Sequence, residues 1–338
     1  MLKGLSLQEA IHLSSTSWVP AAKRLVDRKH WTLGYAATDY PGDTRAEESI
    51  ENYGRLINAY VDFAFLLQPD GSFTGQINQD IFDLALSRNI APLILFHNFT
   101  GGKFNAQVLQ TVLGTPQLRN ACIDHMINSL PSQAAGVHID FENVPAGLRL
   151  PLIDFLEELQ ACLHLRGWLL TMAIPAKCNE WEAPGFDFAR IGAICDAVVL
   201  MTYDEHYGGG EPGPVASLPW MTQALDYAIQ FIPGSKLLLG IPVYGFDWSS
   251  TSAIMVPMRS INPLVAKTGA HRLWSDPFVE PYFHYWSGRE KHVVWFENEL
   301  SSKIRFGFVK TYRLRGIAIW RLGYETKLFW RNVAAKFQ

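Results

Sequence analysis

The sequence predicts an α/β fold, a (β/α)8 barrel of parallel strands ringed by helices. Three observations carry this expectation. Eight short apolar runs alternate with helix-like stretches from about residue 31 onward, which is the pattern of a parallel sheet, and a count of eight points to closure. Acidic and aromatic residues gather at the carboxyl ends of these runs, where such barrels carry their chemistry. One stretch, 249–298, breaks the alternation and reads as a small α+β insertion between strands seven and eight. The whole span 1–338 then reads as one domain, with 1–30 as a lead-in that is helical from about residue 5 and broken at Pro20.

The strands fall at 31–37, 60–66, 91–98, 135–143, 168–175, 196–204, 236–245 and 316–320. Turn residues separate them: Pro41-Gly42-Asp43 follows the first, and Pro69-Asp70-Gly71 follows the second. Helical patterns lie between, at 47–56, 78–88, 116–130, 151–165, 186–192, 220–231 and 298–309, and a last helix closes the chain. Thr115 stands where an N-cap is expected, with Pro116 at the first helical position, where a missing N–H costs nothing.

Composition narrows the function classes. At 338 residues the chain suits an α/β barrel with an insertion, and its net charge of −3 lacks the basic footprint of a nucleic-acid partner. The four cysteines, Cys122, Cys162, Cys178 and Cys195, show no C-x-x-C pair or zinc-finger spacing and read as free thiols. No run of 18 apolar residues is present to span a membrane. The first 30 residues lack the apolar core of a secretory signal. Eleven Trp, 12 Tyr and 20 Phe supply aromatic surface of the kind that carbohydrate sites use, besides the core.

The most informative run is Gly136-Val137-His138-Ile139-Asp140-Phe141-Glu142 on strand four. Alternation puts Val137, Ile139 and Phe141 on one face and His138, Asp140 and Glu142 on the other. Neighbours on one face are about 6.6 Å apart, twice the rise per residue. An imidazole and two carboxyls on the inner face of a barrel are costly without a purpose. A general acid beside a second carboxyl is one purpose; a wet sheet face and a metal site are others. Three ligands on one strand converge poorly on a single ion, so no metal and no cofactor is expected. Glu142, Asp204 and Trp320 end strands, and Tyr203 and Tyr244 stand at or next to ends. Taken singly, Tyr203 reads equally as a rim aromatic, Trp320 as core and Asp204 as a turn cap. Asp62 lies mid-strand, where a structural partner is as good a reading as a ligand contact.

These residues carry a resemblance. Residues 136–142 are similar to the D-G-x-D-x-D-x-E signature of glycoside hydrolase family 18, Met201-Thr202-Tyr203-Asp204 matches that family's M-x-Y-D on strand six, and Trp320 matches its Trp ending strand eight. The runs LMTYDEHYGGGEPGPVASLPW and VVWFENELSSKI resemble the cortex-lytic and germination N-acetylglucosaminidases of spore-forming bacteria within that family. The resemblance implies a TIM barrel and cleavage of a glycan containing β-linked N-acetylglucosamine, from spore cortex peptidoglycan or chitin oligomers. It also implies a retaining route in which the substrate's own acetamido group is the nucleophile. Glu142 would be the acid/base, Asp140 its partner, and Tyr203 the donor to the acetamido carbonyl. Asp204, Trp320, Met201, Tyr244, His138 and Tyr35 would bind substrate, with His97, Asn98, Glu205 and His206 as further sugar contacts. Phe65, Met172 and Trp181 would support or line the cleft.

Two departures stand out: Ala135 and His138 replace the signature's first two aspartates. His138 would serve behind Asp140 either as a neutral donor or as a cation holding Asp140 charged. A silent sugar-binding relative and a two-carboxylate glycosidase using Glu142 and Asp204 remain as other readings. A glycan partner, no nucleic acid, no membrane, a monomer, and a cytoplasmic or spore-associated location complete the expectations.

Overall fold

The computed structural model describes residues 18–337. Eight parallel strands form the core: β1 Trp31–Ala36, β2 Ala59–Leu67, β3 Ala91–His97, β4 Gly136–Asp140, β5 Leu169–Pro175, β6 Ala197–Met201, β7 Leu237–Pro242 and β8 Gly316–Trp320. Each pairs with its neighbour in sequence, and β1 pairs with both β2 and β8, which closes the ring. The chain is therefore the (β/α)8 barrel expected, with an α+β insertion between β7 and β8.

Strand alternation sorts the side chains into two layers. Leu33, Val61, Leu93, Leu95, Val199 and Leu238 fill the interior of the barrel. Tyr60, Ile94, Phe96, Val137, Ile139 and Leu200 face outward against the helices. On β4 this leaves His138 and Asp140 turned inward with almost no exposure. Pairing between β2 and β3 slips by one residue between Asp62 and Phe65, a bulge that re-aims the end of β2 at the mouth of the barrel.

Several elements differ from expectation. The expected helix before residue 18 lies outside the described residues. Pro20 does not break a helix; it begins Pro20–Val26, because the first turn has no use for the missing N–H. Thr115 occupies the cap position before Pro116–Ser129 without a side-chain cap bond. A separate helix, Ala106–Gly114, capped by Asn105, precedes it. The loop at Thr100-Gly101-Gly102 is the tip of a hairpin, Phe99–Thr100 with Lys103–Phe104. The insertion begins at Tyr244, not 249. Tyr244–Trp248 leaves the barrel and is the second strand of a five-stranded antiparallel sheet with helix Met258–Thr268 against it. Apolar character continues unbroken from β7 into Tyr244–Trp248, so hydropathy alone runs the two together.

The insertion is tied to the barrel by buried charge. Arg305, Glu280 and Glu297 are wholly buried. Arg305 lies 2.8 Å from Glu297 Oε1 and 3.3 Å from Glu280 Oε2, and its Nε donates to the Ala216 carbonyl at 3.1 Å. Glu280 also accepts from the backbone N–H groups of Val215 and Ala216, at 2.7 and 3.1 Å. Arg305→Met would leave two carboxyls buried without their cation. We expect it to destabilise the protein by about 3–5 kcal/mol, measured by urea unfolding.

Candidate active site

Strand β4 ends at Asp140, and the chain carries Glu142 two residues beyond it. Asn98 fixes that extension from both sides. Its Oδ1 accepts from the Glu142 N–H, and its Nδ2 donates to the Glu142 carbonyl, each at 3.0 Å. Burial lifts the Asp140 carboxyl to about 7. Glu142 is pushed well above the carboxylate range, first by loss of solvation and then by the charges of Asp140 and Asp204. The two carboxyls together therefore favour retaining a proton.

Beyond the end of β6, Tyr203 and Asp204 approach from the other side. Thr202 turns the chain there by donating to the Gly240 carbonyl at 2.7 Å, and Asp204 takes a left-handed backbone with φ of 62°. Room for Tyr203 depends on Gly240, where a Cβ would lie 2.8 Å from the ring's Cε1. The Tyr244 hydroxyl donates to Asp204 Oδ1 at 2.5 Å. Loss of solvation around the Asp204 carboxyl raises it to about 6 against that hydrogen bond.

The floor is aromatic. Trp320, at the end of β8, meets Tyr35 and Phe63 edge to face, with ring centroids 5.2 and 5.9 Å away. Phe63 in turn stacks on His97 at 4.3 Å. Arg321 follows Trp320 and donates to the Ala37 carbonyl and the Tyr324 hydroxyl, each at 2.6 Å.

A cleft of about 990 Å³ opens among these groups at the carboxyl ends of the strands. Of the nine residues expected in the site, Glu142, Asp140, Tyr203, Asp204, Trp320, Met201 and Tyr35 meet there. His138 and Tyr244 do not. Both are wholly buried, one behind Asp140 and the other beneath Asp204. His138 lies outside the cleft lining, burial favours its neutral ring by lowering it to about 3, and both ring nitrogens are engaged by Tyr35 and Thr171.

The expected sugar contacts also change. Asn98 is the clamp on Glu142, and His97 Nδ1 accepts from the Phe99 N–H at 3.0 Å. Glu205 accepts from the Ser217 N–H at 2.7 Å, and His206 Nδ1 lies 3.0 Å from the Pro214 carbonyl. Phe65 stacks on Phe96, Met172 is core, and Trp181 is 89% exposed. Sequence reasoning passed over Phe63, Phe99, Phe104 and Met255, which line the cleft from the bulge of β2, the hairpin after β3 and the insertion. No spacing marks them; they are apolar residues of a bulged strand, a short hairpin and the insertion. Asp62 lines the cleft as well, and its Oδ2 accepts from the Asn78 N–H at 3.1 Å.

A parallel barrel with buried, raised carboxyls at and just beyond the end of strand four and an aromatic floor is the architecture of a glycosidase. The chain belongs to the glycosyl hydrolases family 18, whose model matches residues 47–325. It is 30% identical to YdhD of Bacillus subtilis, named for a sporulation-specific glycosylase activity, over 81% of this chain and 68% of that one. The cortical fragment-lytic enzyme of Bacillus subtilis is 24% identical over 88% and 73% of the two chains. Among solved structures, a chitinase from Chromobacterium violaceum superposes with a TM-score of 0.83 at 28% identity, covering 90% of this chain and 98% of its own.

Asp62 supplies a pH test of the cleft's dryness. Burial raises it to about 7, above its unfolded value near 3.8, so the contribution of Asp62 to stability is full below about pH 4 and is lost as pH rises through 7. Asp62→Asn escapes this loss. We expect the variant to gain on the wild type by up to about 4 kcal/mol between pH 4 and pH 8, read from denaturant midpoints.

Proposed function

We propose that the chain hydrolyses β-linked N-acetylglucosamine-containing glycans by a retaining, substrate-assisted route, with Glu142 as acid and then base. The observation that carries this reading is the state of Glu142. It is held by its backbone at the cleft, where burial first and then two neighbouring carboxyls push its carboxyl well above the ordinary carboxylate range, which favours the protonated acid. Glu142 gives its proton to the glycosidic oxygen as the bond to the anomeric carbon breaks. The acetamido carbonyl oxygen attacks that carbon from the opposite face and closes an oxazolinium ring. Water then attacks the same carbon, losing its proton to Glu142, and the ring opens to the acetamide with configuration retained.

The neighbouring residues fit this chemistry. Asp140 accepts the acetamido N–H and offsets the charge of the oxazolinium ion. Tyr203, whose hydroxyl stays protonated in its buried setting, donates to the acetamido carbonyl and aligns it for attack. Asp204, steadied by Tyr244, contacts the sugar, and Trp320 supports its apolar face. Asp140 and Glu142 titrate as a pair, so the alkaline limb of activity belongs to both. Activity falls as pH rises through the raised values, because the acid must hold its proton.

Relatives named for spore cortex fragments and for chitin support two substrate classes that share an N-acetylglucosamine at the cleaved bond. Turnover of fluorogenic N-acetylglucosaminide oligomers, followed by mass analysis of products from cortex peptidoglycan and chitin oligomers, tests the reading. Glu142→Gln should lower kcat by about 10²–10⁴-fold, and Tyr203→Phe by about 10²-fold. Binding without turnover in the wild type, or equal turnover of sugars lacking the 2-acetamido group, would overturn it.

A further inference from the structure

His138 stands where the family signature has an aspartate, and its hydrogens can be counted. Thr171 Oγ1 lies 3.0 Å from the Val137 carbonyl oxygen, which only accepts, so the hydroxyl hydrogen points there. The same Oγ1 lies 2.8 Å from His138 Nδ1. With its own hydrogen committed, Thr171 accepts, and Nδ1 carries the imidazole hydrogen. Nε2 lies 2.9 Å from the Tyr35 hydroxyl. A neutral ring with its hydrogen on Nδ1 has a bare Nε2, so Tyr35 donates to it. Full burial favours that neutral ring over the imidazolium. The donors thus run from Tyr35 to His138 to Thr171 to Val137, and none points at Asp140.

The groups around Asp140 complete the count. Tyr35 faces it from β1, and Tyr203 and Asp204 come from beyond β6, with Glu142 beyond the end of its own strand. His97 on β3 is its partner in register, and Asp62 on β2 shares the cleft. His97 is held neutral by burial, at about 4, with Nδ1 accepting from Phe99. Tyr35 presents only lone pairs to the cleft once its hydrogen is given to His138.

We propose that His138 is a positioning residue which, by holding the Tyr35 hydrogen, closes the proton route behind Asp140, so that Asp140 shares a proton with Glu142 and with no group beneath it. The proposal rests on the hydrolytic reading above. When Glu142 releases its proton to the leaving oxygen, the charge left on the pair cannot drain into the barrel. An aspartate at position 138 would instead be a second acceptor under Asp140, able to draw its proton away. The histidine, fully hydrogen-bonded and uncharged, removes that acceptor.

Thr171 provides the test, since it reaches neither the cleft nor the substrate. Thr171→Val removes the acceptor of the Nδ1 hydrogen, which lets the ring carry its hydrogen on Nε2 and turns the Tyr35 hydrogen toward Asp140. In the wild type, ¹⁵N shifts should report His138 as the neutral Nδ1–H tautomer across the active pH range. In Thr171→Val they should report Nε2–H, with the ¹³C titration midpoint of the Asp140 carboxyl and the alkaline limb of kcat/KM both moved down by about one pH unit. Thr171→Ser should restore all three. An imidazolium or Nε2–H form in the wild type overturns the proposal, as does a Thr171→Val protein whose tautomer or Asp140 midpoint is unmoved. Both NMR measurements are made without substrate. Absence of turnover would therefore count against the hydrolytic reading and leave the tautomer result standing.

Discussion

Everything in this cleft depends on taking carboxyl groups out of water at one end of a closed barrel. Asp140, Asp62 and Glu142 would each be ionised in solvent. Here, loss of solvation is the largest influence on all three, and it moves Asp140 and Asp62 up to about 7 and Glu142 well above the carboxylate range. Burial of this kind is costly to the fold. It is tolerated because the ring of strands supplies a dense apolar interior below the cleft and an aromatic floor of Tyr35, Phe63 and Trp320 at its base. A carboxyl that keeps its proton at neutral pH is what acid-assisted cleavage of a glycosidic bond requires.

Position is controlled by backbone as much as by side chains. Most of the residues with chemistry to do lie just beyond strand ends, where the sheet's hydrogen bonds have stopped, while Asp140 is the last residue of β4. Asn98 replaces those bonds for Glu142. Thr202, Tyr244 and the space above Gly240 do the same for Tyr203 and Asp204. These local devices come from the third, sixth and seventh βα units, so the site exists only when the ring is closed. The insertion adds a wall through Met255 and is held in place by Arg305 and its two buried carboxylates.

His138 shows how a departure from a family signature can preserve a site while changing its proton economy. The position still faces inward beneath Asp140, but a titratable carboxyl has become a neutral ring locked between Tyr35 and Thr171. The polar layer below the dyad is then a one-way chain of donors, rigid and saturated.

The barrel, its eight strands and the inward parity of His138, Asp140 and Glu142 were legible in the sequence, because hydrophobic alternation is a local property written residue by residue. Seven of the nine residues expected in the site line the cleft, since strand ends in this fold converge by topology. What the sequence could not settle was side-chain direction at the ends of strands. Tyr244 carries the same apolar run as β7, yet it starts a new sheet and turns its hydroxyl under Asp204. Asn98, Glu205 and His206 have the chemistry of sugar ligands, and each is committed to backbone groups that only the folded chain brings near. Phe63, Phe99 and Met255 enter the cleft through a bulge, a hairpin and the insertion, none of which local pattern encodes. The tautomer of His138 is the extreme case. Its residue type is plain in the sequence, but the location of one hydrogen depends on Thr171 and Tyr35, contributed by two other strands, and only tertiary contact decides it.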